Sequence, residues 1–324
     1  MSALPFAVIT GFLGSGKTTL LSRLLRDPAF AHTAVIVNEF GEVGLDHLLV
    51  EASDEEIVLL EGGCLCCKVR GDLVRTAAEL LARRARGEAA FDRIVVETTG
   101  LADPAPILQA LMTDRELAGE LRLESVIATV DCAAGGATLD AHPQSVKQAA
   151  LADRIVLTKA DLADPAASGL AERVRRINPA APQLVAQHGA VDARLLFDVF
   201  HHEESRWEGH ESHAHADNEV TTFCLRRSEP LHAVTLVLFL QILAEHCGAR
   251  LLRLKGLVDV LESPGRPAVI HGVQHVFHPP AWLDRWPGDD RTTRMVVISQ
   301  GLDKRWLEAL LEVLEEEVKA CSIS

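Results

Sequence analysis

The sequence predicts an α/β fold, a parallel sheet with helices on both faces, followed by a smaller α+β C-terminal domain. Three observations predict it. Short apolar runs alternate with amphipathic stretches from residue 4 to about 199. Those runs are apolar almost without interruption, as strands buried on both faces are. The alternation then stops at a polar, aperiodic, histidine-bearing stretch from His201 to His215, beyond which strand and helix patterns resume in a different order. The 324 residues, 48% of them hydrophobic, exceed what one compact core usually holds. The expected division is a first domain over 1–199, a linker over 200–218 and a second domain over 219–324.

Taken in order, the strands expected in the first domain are Phe6 to Thr10, Ala34 to Asn38, Ile57 to Leu60, Arg93 to Glu97, Ser125 to Val130, Arg154 to Thr158 and Gln183 to Ala186. Each is a short run of apolar and often β-branched residues bounded by polar or glycine-bearing segments. Amphipathic spacing predicts helices at about Lys17 to Arg26, Asp72 to Arg86, Ala105 to Met112 and Ala167 to Ile177. In the second domain, strands are expected at Glu219 to Leu225, Arg250 to Val260, Pro267 to Gly272 and Arg294 to Ser299. Helices are expected there from Leu231 to His246 and, strongly charged, from Leu302 to Ala320.

Charge narrows the function. With 46 acidic against 32 basic residues the formal net charge is −14, and no local basic patch offsets it, so nucleic acid is not expected as a partner. The opening run Leu4 to Ile9 is too short for a secretory leader, and the apolar stretch Ala233 to Ala244, interrupted by Thr235 and Gln241, falls short of a bilayer span. No membrane partner and a cytoplasmic location are therefore expected. Seven cysteines, three of them crowded at Cys64, Cys66 and Cys67, make a poor disulfide framework and a better metal or redox site.

Gly11-Phe12-Leu13-Gly14-Ser15-Gly16-Lys17-Thr18 has the spacing of a phosphate-binding loop and lies between an apolar strand and an amphipathic helix, as that motif requires. Backbone N–H groups of Gly11, Gly14, Ser15 and Gly16 can cradle phosphates, and Lys17 can neutralise β and γ oxygens. The hydroxyl of Thr18 can hold Mg²⁺, and Thr19 follows in the same first turn. The first domain is thus expected to be a P-loop NTPase. Glu97 ends an apolar strand and supplies the second carboxylate of a Mg²⁺ site, with Gly100 placed to bring an N–H to the γ-phosphate. At another strand end, Thr158-Lys159-Ala160-Asp161 offers a carboxylate that can accept from guanine N1–H and its exocyclic amine, with the Lys159 stem along the base face. Asn is the usual first residue of that signal where this chain has Thr158. GTP is the expected nucleotide.

Two segments fall where γ-phosphate-sensing loops would lie, Asn38-Glu39-Phe40-Gly41-Glu42 and Glu61-Gly62-Gly63-Cys64-Leu65-Cys66-Cys67. Three thiolates so close can reach one soft or borderline cation, tetrahedral zinc needing one further ligand. A Cys64/Cys67 redox pair and passive burial are the alternatives, weakened respectively by the intervening Cys66 and by the paired glycines before the motif. The histidines between His201 and His215 can bind the same metal or simply ornament a linker, whereas His271, His275 and His278 read as structural. Cys132, Cys224 and Cys247 read as packing residues.

In combination these segments resemble the CobW-like branch of the P-loop metallochaperone GTPases. The resemblance is carried by the phosphate loop, Asn-Glu-Phe-Gly-Glu, Gly-Cys-Leu-Cys-Cys, Glu97-Thr-Thr-Gly-Leu-Ala-Asp-Pro104, Thr-Lys-Ala-Asp, and a later Leu251-Leu-Arg-Leu-Lys-Gly-Leu257 with Val273-Gln-His275. It implies a GTPase that binds zinc or cobalt and delivers it to a client metalloprotein or cofactor-assembly enzyme, with homo-oligomerisation open. It assigns Lys17, Glu39 and Glu97 to hydrolysis, Thr18 and Glu97 to Mg²⁺, and Thr158, Lys159 and Asp161 to guanine. Cys64, Cys66 and Cys67 become the transition-metal ligands, with Glu42 nearby. Ordering of the Glu39 and Cys64 segments by GTP would assemble the thiolate site, and hydrolysis would release it. Intrinsic turnover is expected to be slow, since the sequence names neither an arginine finger nor a positioned glutamine. A P-loop kinase and a metal buffer without delivery are the rival readings.

Overall fold

The computed structural model describes residues 3–37, 57–59, 66–117, 119–162, 169–186, 188, 190–197, 215–217, 220–277 and 280–322. The chain separates into two compact units, one comprising Met1–Arg175 and Ala181–Phe200, the other Arg176–Ala180 and His201–Ser324.

The first unit runs β1 (Leu4–Gly11), α1 (Lys17–Leu24), β2 (Thr33–Val37), β3 (Ile57–Leu59), α2 (Cys66–Ala85), β4 (Arg93–Glu97), α3 (Ala105–Thr113), β5 (Leu121–Asp131), α4 (Gly135–Ala141), α5 (Pro143–Leu151), β6 (Arg154–Thr158), α6 (Leu170–Ile177, its last two residues counted with the second unit), β7 (Gln183–Val185) and α7 (Ala193–Phe197). Its sheet has the order β3-β2-β4-β1-β5-β6-β7, with every neighbour parallel. The central strand explains the apolar run that begins the sequence. Phe6, Ala7, Val8 and Ile9 are all fully buried, alternate residues facing opposite layers of helix. On one layer Ala7 and Ile9 pack with Leu20, Leu21 and Leu24 of α1 and with Val35, Val95, Ile127 and Val156 of the neighbouring strands. Because β1 lies between β4 and β5, the strand order reverses beside it, and the loop leaving its C-terminal end opens into the crevice where ligands of such sheets bind.

Helices α4, α5 and α7 were not expected: α4 opens on a glycine pair, α5 starts at Pro143 just after it, and α7 has only five residues, too few turns for an apolar stripe to declare itself. Helix α2 starts at Cys66 instead of near Asp72, so two of the three clustered cysteines open a helix.

The second unit contains β8 (His215–Asp217), β9 (Val220–Arg227), α8 (Ala233–Ile242), β10 (Leu251–Val258), β11 (Ala268–Val273), β12 (Val276–Phe277), β13 (Ala281–Trp282), β14 (Thr293–Gln300) and α9 (Lys304–Ser322). Its antiparallel sheet has the order β12-β11-β10-β14-β9-β8, with β13 on β11. One face carries the core: Phe223, Leu225, Leu254, Ile270, Met295 and Val297 meet Leu236, Phe239 and Leu240 of α8 and Leu307 and Leu311 of α9. Two features were not anticipated. Strand β8 lies inside the stretch read as linker, where pairing with β9 supplies the order that its polar sequence does not advertise. The helical run from α8 continues through a π-turn and a 3₁₀ turn to Arg250, and at 18 residues with mean hydropathy 1.3 it does reach a membrane-span length by composition. Part of it packs in the core, where Phe239 and Leu243 are fully buried against the sheet, and Val234 and Val237 are exposed.

Candidate nucleotide site

The loop joining β1 to α1 is shaped by its glycines. Gly14 and Gly16 adopt φ of +70° and +91°, values that a side chain disfavours, and they let the chain double back at the head of the helix. Gly16 is the residue preceding α1 and offers no capping side chain, so the N-terminal N–H groups of an eight-residue helix are left for an anion. The loop is braced from behind. The hydroxyls of Ser15 and Thr129 share a 2.6 Å hydrogen bond, Thr129 Oγ1 also donates to the Thr10 carbonyl at 3.3 Å, and Thr158 Oγ1 donates to the Ser15 carbonyl at 2.7 Å. These bonds tie the loop to β5 and β6.

Lys17 is 5% exposed, and its Nζ donates across the loop to the Phe12 carbonyl at 3.2 Å. Beside it, the Thr18 hydroxyl donates to Oε1 of Glu97 at 2.7 Å. Glu97 is fully buried at the end of β4, one strand away from β1. Sequence reasoning proposed these residues separately, and the fold joins them. Thr19 is exposed on α1. After Glu97, Thr98 is pinned by its N–H to Ile9 carbonyl oxygen at 2.9 Å and by its hydroxyl to Thr10 Oγ1 at 3.0 Å. The chain then brings Gly100 so near the loop that a β-carbon on it would lie 2.6 Å from the Leu13 nitrogen.

Residues at the end of β6 complete the crevice. Thr158 is 4% exposed with its hydroxyl committed to backbone, and Lys159 has a left-handed φ of +54°. Lys159 Nζ donates to Asp131 Oδ2 at 2.6 Å, and Asp161 stands exposed on the 3₁₀ turn Ala160–Leu162, 3.9 Å from the His188 imidazole. Burial acts to raise the Asp131 carboxyl, but the Lys159 ammonium and the N–H groups of Ala133 and Ala134 outweigh it and hold the group below its ordinary range. Burial, then the neighbouring Asp131 charge, push the Cys132 thiol up, which suits a packed cysteine and not a reactive one. Cys224 and Cys247 are buried as expected, and His271 is 6% exposed on β11.

Several site residues were not singled out from sequence: Thr10, Thr98, Thr129, Asp131, His142 and Gln148. Asp131 alone carried a signal, an acid at the C-terminal end of an apolar strand. The ring of His142, at the α4–α5 junction, stacks on Phe12 with centroids 4.4 Å apart. Gln148 on α5 lines a small cleft beside the loop, together with Phe12, Leu13, Thr129, Leu139 and Ser145. Glu39, Glu42, Cys64 and the stretch 201–214 lie outside the described residues, as do the side chains of Cys66 and Cys67. Among the described residues no cluster of three His, Cys, Asp or Glu side chains could hold a metal ion.

Comparison with known proteins places this geometry among relatives. Residues 5–185 match the CobW/HypB/UreG nucleotide-binding domain, and residues 220–315 match the Cobalamin synthesis protein cobW C-terminal domain. The chain is 33% identical to the zinc chaperone YjiA of Escherichia coli over 99% of this chain and 98% of that one. It is 33% identical to the zinc chaperone CobW of Pseudomonas aeruginosa, covering 94% and 89%. Likeness to the zinc-regulated GTPase metalloprotein activator 1 of Saccharomyces cerevisiae is 28%, covering 95% and 82%. Among solved structures, Zn(II)-bound YjiA GTPase from E. coli superposes with a TM-score of 0.72 at 28% identity, covering 97% of this chain and 99% of that one. A Zn(II)-bound triple mutant of that GTPase gives 0.76 at 29% identity, covering 97% and 100%.

Proposed function

Since the chain belongs to the CobW/HypB/UreG family, carrying both its nucleotide-binding and its C-terminal domain, we propose that it is a GTP-hydrolysing zinc chaperone that couples the nucleotide cycle to metal delivery. The observation that carries the nucleotide half is the Thr18–Glu97 hydrogen bond at the head of α1, with Lys17 beside it. The zinc half is supported by full-length likeness to chains named zinc chaperones.

The donor set fits the nucleotide and its metal. Hydroxyl and carboxylate oxygens of Thr18 and Glu97 are the hard ligands that Mg²⁺ takes, directly or through water, and bound Mg²⁺ would offset charge on the β and γ oxygens. Lys17 exchanges its contact with the Phe12 carbonyl for phosphate. Gly11, Gly14, Ser15 and Gly16 present the loop backbone, Thr19 belongs to the same first turn, and Gly100 carries the N–H that meets the γ-phosphate. Thr158 holds the loop instead of the base, leaving guanine to the Lys159 stem and the Asp161 carboxylate. Glu39 assists hydrolysis, and Cys64, Cys66 and Cys67, with Glu42 nearby, hold the zinc that is the cargo. The recipient is a client metalloprotein or cofactor-assembly enzyme.

The test is zinc affinity measured with GDP and with a non-hydrolysable GTP analogue, followed by transfer to an apo-client. Unequal affinities and GTP-dependent transfer support the reading. Equal affinities would sink the coupling, because a ligand that binds both states alike shifts nothing. Preference for cobalt in the same titration would replace zinc as the cargo.

A further inference from the structure

Gly100 is held from two sides. The phosphate loop lies against its α-carbon, and from the opposite helix Gln148 Nε2 donates to the Gly100 carbonyl at 3.2 Å and to the Ala102 carbonyl at 3.0 Å. A second tie runs beside it, Lys147 Nζ lying 3.6 Å from Asp103 Oδ2. Within the strap, the Ala102 N–H donates to the Thr99 carbonyl at 3.0 Å and the Ala105 N–H to Asp103 Oδ1 at 3.0 Å. The turn after β4 is therefore fastened to α5 at three of its residues.

Packing does not explain Gln148. The side chain is 1% exposed, and its Oε1 is buried with no hydrogen-bond partner. An orphaned buried acceptor costs stability that a methionine or leucine of similar size would not incur. Among uncharged side chains only an amide supplies two N–H donors on one nitrogen, and two carbonyls converge there. A carboxylate would turn lone pairs on both of them. From this we infer that Gln148 is a positioning residue for GTP hydrolysis: by tying the Gly100 and Ala102 carbonyls to α5, it restricts rotation of the Gly100 backbone and holds its N–H in the orientation that addresses the γ-phosphate. The inference rests on the reading of the segment after Glu97 as the γ-phosphate sensor. Through the His142–Phe12 stack the α4–α5 corner also touches the phosphate loop, so one corner braces both walls of the γ-phosphate site.

The experiment compares Gln148→Met, which keeps the volume and removes the donors, and Gln148→Glu with the full-length wild type. Single-turnover GTP hydrolysis, affinities for GDP and a non-hydrolysable GTP analogue, and melting temperature are read together. Loss of two neutral hydrogen bonds from the γ-phosphate-competent arrangement predicts hydrolysis slower by about tenfold and a similar loss of analogue affinity, with GDP affinity held within about twofold. Wild-type hydrolysis and analogue preference in both variants would overturn the inference. So would a parallel fall in GDP affinity and melting temperature, which marks a merely structural residue. Glu97→Gln and Gly100→Ala run alongside: normal hydrolysis in these two would remove the sensor reading itself, and Gln148 with it.

Discussion

Thr18 and Glu97 are seventy-nine positions apart in sequence and share a 2.7 Å hydrogen bond. In the proposed role the pair supports Mg²⁺, so removing the Thr18 hydroxyl or the Glu97 charge takes away electrostatic support needed most when charge moves onto the leaving phosphate. Thr18→Ala or Glu97→Gln should slow GTP hydrolysis by about 100-fold while leaving GDP binding less affected, as single-turnover kinetics and calorimetry will show. Asp161→Asn replaces an acceptor by an amide that faces guanine with a donor. GTP affinity should fall by about 100-fold or more in titration calorimetry, and xanthosine triphosphate, with an oxygen where guanine has its amine, should gain. Unchanged GTP affinity would move base recognition elsewhere. Asp131 has a folded pKa below its unfolded value, so its contribution is complete above the unfolded carboxylate pKa of about 3.9 and disappears as pH falls through the lower folded value. Its partner Lys159 is 38% exposed, which discounts the pair. Asp131→Asn should destabilise the protein at neutral pH by about 1 kcal/mol in denaturant titrations, and the gap from wild type should close in acid. The loop, Glu97 and Asp161, the residues proposed for the nucleotide, could be named from sequence because each follows an apolar strand in the spacing of its motif. Thr129, His142 and Gln148 could not, since their partners lie on other elements.

At the scale of the element, strongly patterned strands and helices were readable, the eight- and nine-residue α1 and α3 among them, and the α4–α5 corner was not. Strands β4 and β6 occupy the residues expected of them, Arg93–Glu97 and Arg154–Thr158, because buried β-branched runs flanked by turns have few other options. The corner α4–α5 carries a glycine pair and Pro143 at a helix start, breaker signals that hid it from a reading by periodicity. That corner carries Gln148. Helix α8 shows how composition can mislead in the other direction. Its ten residues are apolar nearly all round, with Val234 and Val237 more than half exposed and Phe239 fully buried. Phe239→Ala should cost about 3–5 kcal/mol in chemical denaturation, through lost burial and the cavity left on the sheet. A cost near zero would mean that α8 does not close the core.

For the whole molecule, the two units answer to different physics. The first is a parallel sheet whose ligand crevice follows from strand order, and the second is an antiparallel sheet covered on one face by α8 and α9. Under the proposed coupling of nucleotide to metal, zinc must bind the two nucleotide states differently, by about 1.4 kcal/mol for each tenfold change in affinity. By reciprocity, saturating zinc should alter GTP-analogue affinity by the same factor as the analogue alters zinc affinity, and GDP affinity less. Titration of nucleotide with and without zinc, and after chelation, checks this. Equal analogue affinities in all three conditions would leave a nucleotide hydrolase whose metal site is a separate store. Replacing Cys64, Cys66 and Cys67 together by serine should abolish the coupling while leaving GDP affinity within about twofold.

Local chemistry in the chain alone determined the parallel α/β domain, the phosphate loop, the acid at the end of β4 and the second domain beyond the polar stretch. Those features are written in contiguous residues: strand-length apolar runs, glycines where φ must turn positive, a lysine and hydroxyl at a helix head. Only the tertiary structure decided which groups meet. The order β4-β1-β5-β6 brings Glu97 to Thr18, Thr158 and Thr129 to the back of the loop, and Asp131 to Lys159, while α5 carries Gln148 to the strap after β4. Sequence spacing encodes what neighbours in the chain can do, whereas hydrogen bonds across strands depend on the order in which those strands assemble.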